Sequence, residues 1–346
     1  MRAIGMARRL GVATMVVHFA ATGATAQQVH RLEATPKTVT FGYYDPAAPP
    51  ALRIRSGDIV DLHTFIANGY PRLKDAGLTA DKIEPGLIAI DDALRPGKGE
   101  GAHFLTGPVF VENAAPGDML QIDILNIRLS SEYAFNGFRR DSGALPGEFD
   151  HDAGKLIWLD RQHMTAKFAP GVVLPLAPFF GSIGVAPATG RVSSRAPGLF
   201  GGNLDNRDLV AGSTLFLPVQ VAGALVSIGD GHAGQGQGEV DGAALETSLD
   251  GRFRFTVRKD LHGKAPRAET ATDYISMGLD ENLGEAAKMA VREMIAFLVD
   301  VKHLSHDDAY MLCSVAGNLV VTQVVDGTVG AHMQLPKSIF KPSASR

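Results

Sequence analysis

The chain has 346 residues, 45% of them hydrophobic, with 33 basic and 37 acidic side chains and a formal charge of −4. No basic patch stands out along it, which argues against nucleic acid or an anionic membrane surface as partner. Its single cysteine rules out an intramolecular disulfide and a cysteine-rich zinc site.

Residues 1–26 read as a secretory signal peptide. Arg2, Arg8 and Arg9 form a positive n-region, LGVATMVVHFAATG supplies a short apolar core, and Ala24, Thr25 and Ala26 fit a small-residue cleavage site before Gln27. Cleavage there predicts an exported protein, periplasmic or secreted. Losing three of the 33 basic residues leaves 30 against 37 acidic, or −7. No later stretch approaches a transmembrane span. Residues 27–346 suffice for one large domain or two closely packed β-rich subdomains.

Short β-like runs follow: TVTFGYY, GPVFVEN, IDILNIRL, STLFLPVQV, GRFRFTVR and NLVVTQVV. SGDIVDL (56–62), PGDMLQI (116–122) and AGALVSI (222–228) share one pattern, a glycine turn followed by alternating apolar positions. Turn residues at short intervals favour a sandwich or barrel over a wound parallel sheet. Residues 151–203, rich in Pro and Gly, read as a long irregular segment of the kind that covers a site. Helix is expected mainly late. Residues 282–303 carry Ala287, Ala290, Met294 and Leu298 at near-helical spacing, and Ser305 is an N-cap for a second helix holding Cys313 in its core-facing part. The predicted fold class is therefore mainly β, sandwich- or barrel-like, with a C-terminal α+β portion.

GDGHAGQGQGE (229–239) sets an aspartate, a histidine and a glutamate among glycines. On an extended backbone Asp230 and His232 share a face, and Glu239 follows an excursion long enough to fold back beside them. Two carboxylates and an imidazole suit a divalent ion, zinc first and calcium second; a hairpin loop with solvated polar residues fits the same letters. Upstream, GGNLDNRDL offers Asn203 and Asp205 at the same spacing, equally readable as an Asx turn. His103 opens a strand at a glycine-marked turn, and Glu246 is a candidate general base. His63, His151, His163, His303 and His306 lack a third partner and read as structural or surface residues. There is no G-x-S-x-G elbow, no H-E-x-x-H, and no lysine near the serines of VSSRAPGLFGGN to activate them.

PFFGSIGVAPA, GGNLDNRDLVAGSTLFLPVQVAGALVSIGDGHAGQGQGEVDGAALETS, NLVVTQVVDGTVGAHMQLPKSIF and HFLTGPVFVENAAPGDMLQIDI together resemble the acetamidase/formamidase family, over about Thr38 to Phe340. The resemblance implies a mainly β fold with an α+β part, hydrolysis of short amides to carboxylate and ammonia, a metal in the site region, and a homo-oligomer. It carries over onto His103, Asn203, Asp205, Asp230, His232, Glu239 and Glu246. Three positions depart from the family pattern: Phe200 stands where HGGN has histidine, Gln237 where QGDGE has aspartate, and Asn318 where an aspartate is usual. The expected assignment is an ion on Asp230, His232 and Glu239, catalysis by Glu246, Asp205 and Asn203, and substrate contact by His103, Phe200 and Gln237. A lactam or larger-amide hydrolase, a serine-nucleophile amidase and a non-catalytic periplasmic binding protein on the same fold are the alternatives.

Overall fold

Alternating apolar positions become strands through most of the chain. The computed structural model describes residues 27–67, 69–95 and 101–340; the signal peptide expected at 1–26 lies outside them. Among the described residues no helix is long and apolar enough to cross a membrane.

The largest sheet has nine strands, with Leu249–Arg258 between Ile59–Thr64 and Met119–Leu129 near one end and Val329–Pro336 beside the edge strand Asn318–Gln323 at the other. Its residues obey the period of two: Val60, Leu62 and Thr64 are buried while Ile59, Asp61 and His63 are half-buried. Against it packs a six-stranded sheet built around Phe179–Gly184, Val226–His232 and Phe104–Val111. All residues of the first two strands are buried, so both of their faces are covered. The Phe180 and Phe253 rings meet across the layers at 5.3 Å, within one core that also holds Ile122, Ile183, Val226 and Phe255. The sandwich expectation holds.

The C-terminal α+β portion also forms as expected. Asn282 caps Leu283–Lys302 by accepting from the Gly284 and Glu285 amides at 2.8 and 3.2 Å. Ala286, Ala290, Met294 and Leu298 then face the sheet at intervals of one turn. Ser305 accepts from the Asp308 amide at 3.1 Å and starts His306–Ala316, with Cys313 buried.

One expectation needs correction. The segment 151–203 is not irregular: Ala153–Asp160, Thr165–Ala169 and Val172–Pro175 join Tyr133–Phe138 in a four-stranded sheet. Ile157 and Leu159 point inward while Trp158 stays exposed, so the alternation was there beneath the Pro and Gly content. Helix lies mainly at the end, as expected, with two shorter helices earlier. Tyr70–Asp75 and Pro85–Leu94 cover a second apolar cluster of Ile66, Leu73, Leu87, Ile90, Phe104 and Phe135.

Phe253, with 0% of its surface exposed, joins the two main layers. Phe253→Ala is expected to cost about 3–5 kcal/mol, read as a lower urea midpoint at unchanged m-value.

Candidate active site

The six-stranded sheet brings the acidic residues together through an irregularity in its central pair. Phe180 is opposite Gly231 and Ser182 opposite Gly229, which sets Gly181 across from Asp230. Asp230 sits mid-strand with φ of 60°, and Asp205 (46°) and Glu239 (47°) share this left-handed conformation. Side chains beyond glycine and Asn/Asp rarely adopt it, and it marks places where the fold overrides local preference. Asp230 and His232 do converge, but by a left-handed turn within the strand and not by simple extended alternation.

Each remaining group is held by backbone pairing. The Asp205 amide donates to Gly181 O at 3.1 Å. Glu246 is bridged to both His232 and Phe135. Gly238, next to Glu239, donates to Thr322 O at 2.9 Å and accepts from the Val324 amide at 3.1 Å. The buried Gln323 then fixes the following turn: its Oε1 accepts from the Val325 and Asp326 amides at 2.9 and 3.3 Å, and its Nε2 donates to Thr328 O.

His232 Nε2 lies 3.4 Å from Asp230 Oδ2, 3.4 Å from Glu246 Oε2 and 3.9 Å from Asp205 Oδ1. Its other nitrogen, Nδ1, is 3.0 Å from Gln235 Oε1, while Gln235 Nε2 donates to Asp205 O at 2.9 Å. That second bond orients the Gln235 amide, so Nδ1–H donates and Nε2 faces the carboxylates, the outer-shell arrangement of a metal-ligating histidine. His103 is oriented likewise: Nδ1 donates to Ser194 O at 2.9 Å and Nε2 lies 3.7 Å from Asp230 Oδ1.

The fit to a cation is tested by what lacks a partner. Asp205 Oδ1, His232 Nε2, Glu239 Oε2, Glu246 Oε2 and Asp326 Oδ2 are all sealed from solvent without a hydrogen bond. Buried polar atoms are ordinarily satisfied, so this unpartnered set fits a positive charge among its members. Gly181 leaves room for it: a Cβ there would stand 2.3 Å from Asp205 Oδ1 and 2.6 Å from Asp230 Oδ2. The donors fall into two groups sharing His232, Asp205–His232–Glu239 and Asp230–His232–Glu246, each with ligand atoms within 4.8 Å of one another. The expected trio of Asp230, His232 and Glu239 is thereby split, because Glu246 is bridged directly to His232 whereas Glu239 lies with Asp205.

Proton affinities show the same crowding. Burial, then repulsion from Glu239, Asp326 and Asp230, pushes Asp205 well above the usual carboxylate range. Glu239 is raised by burial and by Asp326, Glu246 and Asp230. Burial takes Asp326 up to about 6, against the opposing hydrogen bond with Asp205. For Asp230, burial is outweighed by His103 and His232, and its pKa falls to about 2. Burial lowers the His232 pKa, but Glu246 and Asp230 more than reverse this. Without a cation these carboxylates hold a proton on His232; a divalent ion would take that proton's place.

A cavity of about 300 Å³ opens onto His103, Asn203, Asp230, Glu239, Glu246 and Asp326. Asn203 shares this lining with Asp326 and keeps an unpartnered, buried Oδ1. A larger groove of about 630 Å³ lies elsewhere, where Arg252 pairs with Asp61 and both Arg128 and His63 pair with Asp250. Seven of the nine expected site residues thus gather around the acidic cluster. Phe200 and Gln237 do not line this cavity: Phe200 packs on the Tyr44 ring at 5.3 Å, and Gln237 is exposed on a neighbouring recess. Sequence reasoning missed Asp326, Gln235 and Gln323. Asp326 lies in a D-G turn, whose ordinary chemistry hid it.

Residues 37–195 and 191–342 match the model of the Acetamidase/Formamidase family. The chain belongs to this family. Its acetamidase/formamidase fold is similar to that of the acetamidase from Bacillus halodurans, with a TM-score of 0.78, 30% identity, and coverage of 90% of this chain and 98% of that one. The acetamidase from Yersinia enterocolitica gives a TM-score of 0.79 at 25% identity, covering 93% and 96%. The formamidase of Methylophilus methylotrophus is 27% identical over 240 residues, 50% of this chain and 58% of that one. The chain spans about half the length of the curated relatives it matches.

A group with a raised carboxylate pKa favours the folded state while protonated. Between its ordinary value of 3.8 and about 6, Asp326 ionises in the unfolded chain first, so rising pH lowers stability. Asp205 and Glu239 act in the same direction, and the raised His232 pKa adds stability that is lost as pH rises through it. Asp230 opposes them only below 3.8, where its contribution fades as pH falls toward about 2. Metal-free protein is therefore expected to melt higher at about pH 5 than at about pH 7, and saturating zinc to reverse that order, by scanning calorimetry. Gly181→Ala is expected to abolish the zinc-induced rise in Tm, because its methyl fills the space between Asp205 and Asp230.

Proposed function

We propose that this protein cleaves the C–N bond of a small amide, formamide- or acetamide-like, to a carboxylate and ammonia, with assistance from a divalent cation. The observation that carries this reading is the convergence of His232 Nε2 and three carboxylates beside an amide-sized cavity, in a chain of the acetamidase/formamidase family. Asp205 Oδ1, His232 Nε2 and Glu239 Oε2, all without partners, would hold the ion. Their mixed nitrogen and oxygen set suits zinc, with calcium second. When bound, it supplies positive charge that polarises the amide carbonyl and makes water more acidic.

Glu246 has the geometry of a general base. Its Oε1 is anchored by the Ala244 amide at 2.9 Å, leaving Oε2 free. Oε2 takes a proton from water as the water oxygen bonds to the carbonyl carbon, then returns it to nitrogen as the C–N bond breaks. Asn203 Oδ1, buried without a partner, accepts from the substrate's N–H₂ group. His103, fixed through Nδ1, keeps Asp230 ionised and oriented. The leader-like composition of residues 1–26 supports export before the protein acts.

Ammonia release from formamide, acetamide and butyramide, before and after chelation, tests the reading. Release that chelation abolishes and zinc or calcium restores is the expected result. Release indifferent to chelation would remove the ion from the reaction, and no release from metal-loaded protein would overturn the hydrolase reading. Glu246→Gln is expected to lower kcat/KM by about a hundredfold or more at unchanged Tm.

A further inference from the structure

The cavity that is acidic at its floor is basic at its rim. Arg72, Arg95, Arg139 and Arg195 line the same space as Glu246 and Asp326. They come from separate places: Arg72 from Tyr70–Asp75, Arg95 from the end of Pro85–Leu94, Arg139 just past Tyr133–Phe138, and Arg195 from the loop after Val192–Ser193. Arg95 is committed to the buried Asp91 at 2.5 Å. Arg139 and Arg195 are exposed, and neither has an ion-pair partner among the described residues.

The rim is close enough to the floor to act on one ligand. Arg72 lies over the Phe135 ring, 6.0 Å from its centroid, and Phe135 exchanges two 2.8 Å backbone hydrogen bonds with Glu246. Burial, then repulsion from Arg139, holds the Arg72 guanidinium below its usual range, so the two cations crowd one another. A second recess of about 220 Å³ adjoins the first along Arg72, Gly137 and Arg139, with Asp75 and Asp152 on its walls. Arg139 is four residues beyond Phe135 along the strand direction, roughly 13 Å of extended backbone. The Arg139 and Glu246 side chains share the cavity from those two points, which leaves a short spacer between them.

We propose that the substrate is an amide with an anion at its far end, a carboxylate separated from the amide by a few methylenes. It rests on the amide-hydrolase reading above. The amide end meets Glu246 and Asn203, and the carboxylate meets Arg139 and Arg195, with Arg72 behind them. Guanidinium forks match a carboxylate in geometry and charge, whereas the acidic floor alone repels an anion. Arginines that merely balanced the floor would affect neutral and anionic amides alike.

The test compares succinamate, glutaramate and adipamate with butyramide and hexanamide on the metal-loaded full chain. At least one carboxylated amide is expected to exceed its neutral counterpart about fivefold in kcat/KM, through KM, with the preference shrinking in high salt. Arg139→Gln and Arg195→Gln are each expected to reduce that ratio severalfold, while Arg161→Gln, an exposed arginine outside the cavity, leaves it unchanged. A preference for the neutral amides, or a ratio that neither rim variant moves, overturns the proposal. If no amide releases ammonia, the hydrolase reading fails by itself. Calorimetric binding of succinamate and butyramide then decides: tighter succinamate binding that Arg139→Gln removes supports the anion seat, and equal or absent binding overturns it.

Discussion

Four buried carboxylates and a fifth whose Oδ2 is sealed from solvent repel one another at the centre of this protein. No local sequence preference would gather them. Ion desolvation alone opposes it by several kcal/mol per group in a typical interior, and mutual repulsion adds to that. The surrounding fold must therefore fix these groups before any counter-charge arrives. Strands buried on both faces provide the rigidity, and a histidine locked by Gln235 supplies the nitrogen around which the acids turn.

The left-handed backbone at Asp205, Asp230 and Glu239 follows from the same constraint. A regular strand alternates its side chains across the sheet and cannot aim several acids at one point from neighbouring positions. Local distortion can, at a conformational cost that the two-layer core absorbs. Gly181 completes the arrangement by contributing nothing where any side chain would collide.

Much of the fold was legible because alternation is a local signal. The strands at Ile59–Thr64, Met119–Leu129 and Leu249–Arg258 and the caps Asn282 and Ser305 lie where the residues indicate. The four-stranded sheet was hidden by Pro and Gly around LIWLD, and the early helices by their shortness. The glycine-rich run draws the eye to Asp230, His232 and Glu239, yet how acids group is a tertiary matter. Glu246 reaches His232 by an isolated bridge and Asp326 arrives from a distant turn, neither of which has a sequence period. Phe200 and Gln237 stand out as departures from the family pattern beside the site in sequence, but closeness along the chain does not carry over to closeness in space.

Gln323 ties the turn bearing Asp326 to the loop bearing Glu239, and both come from sequence far apart. A chain emerging vectorially from a ribosome or a translocation pore therefore presents Asp205, Asp230 and His232 long before it can complete their surroundings. The Asn318–Gln323 edge strand and the turn after it, which complete those surroundings, are among the last segments to be synthesised.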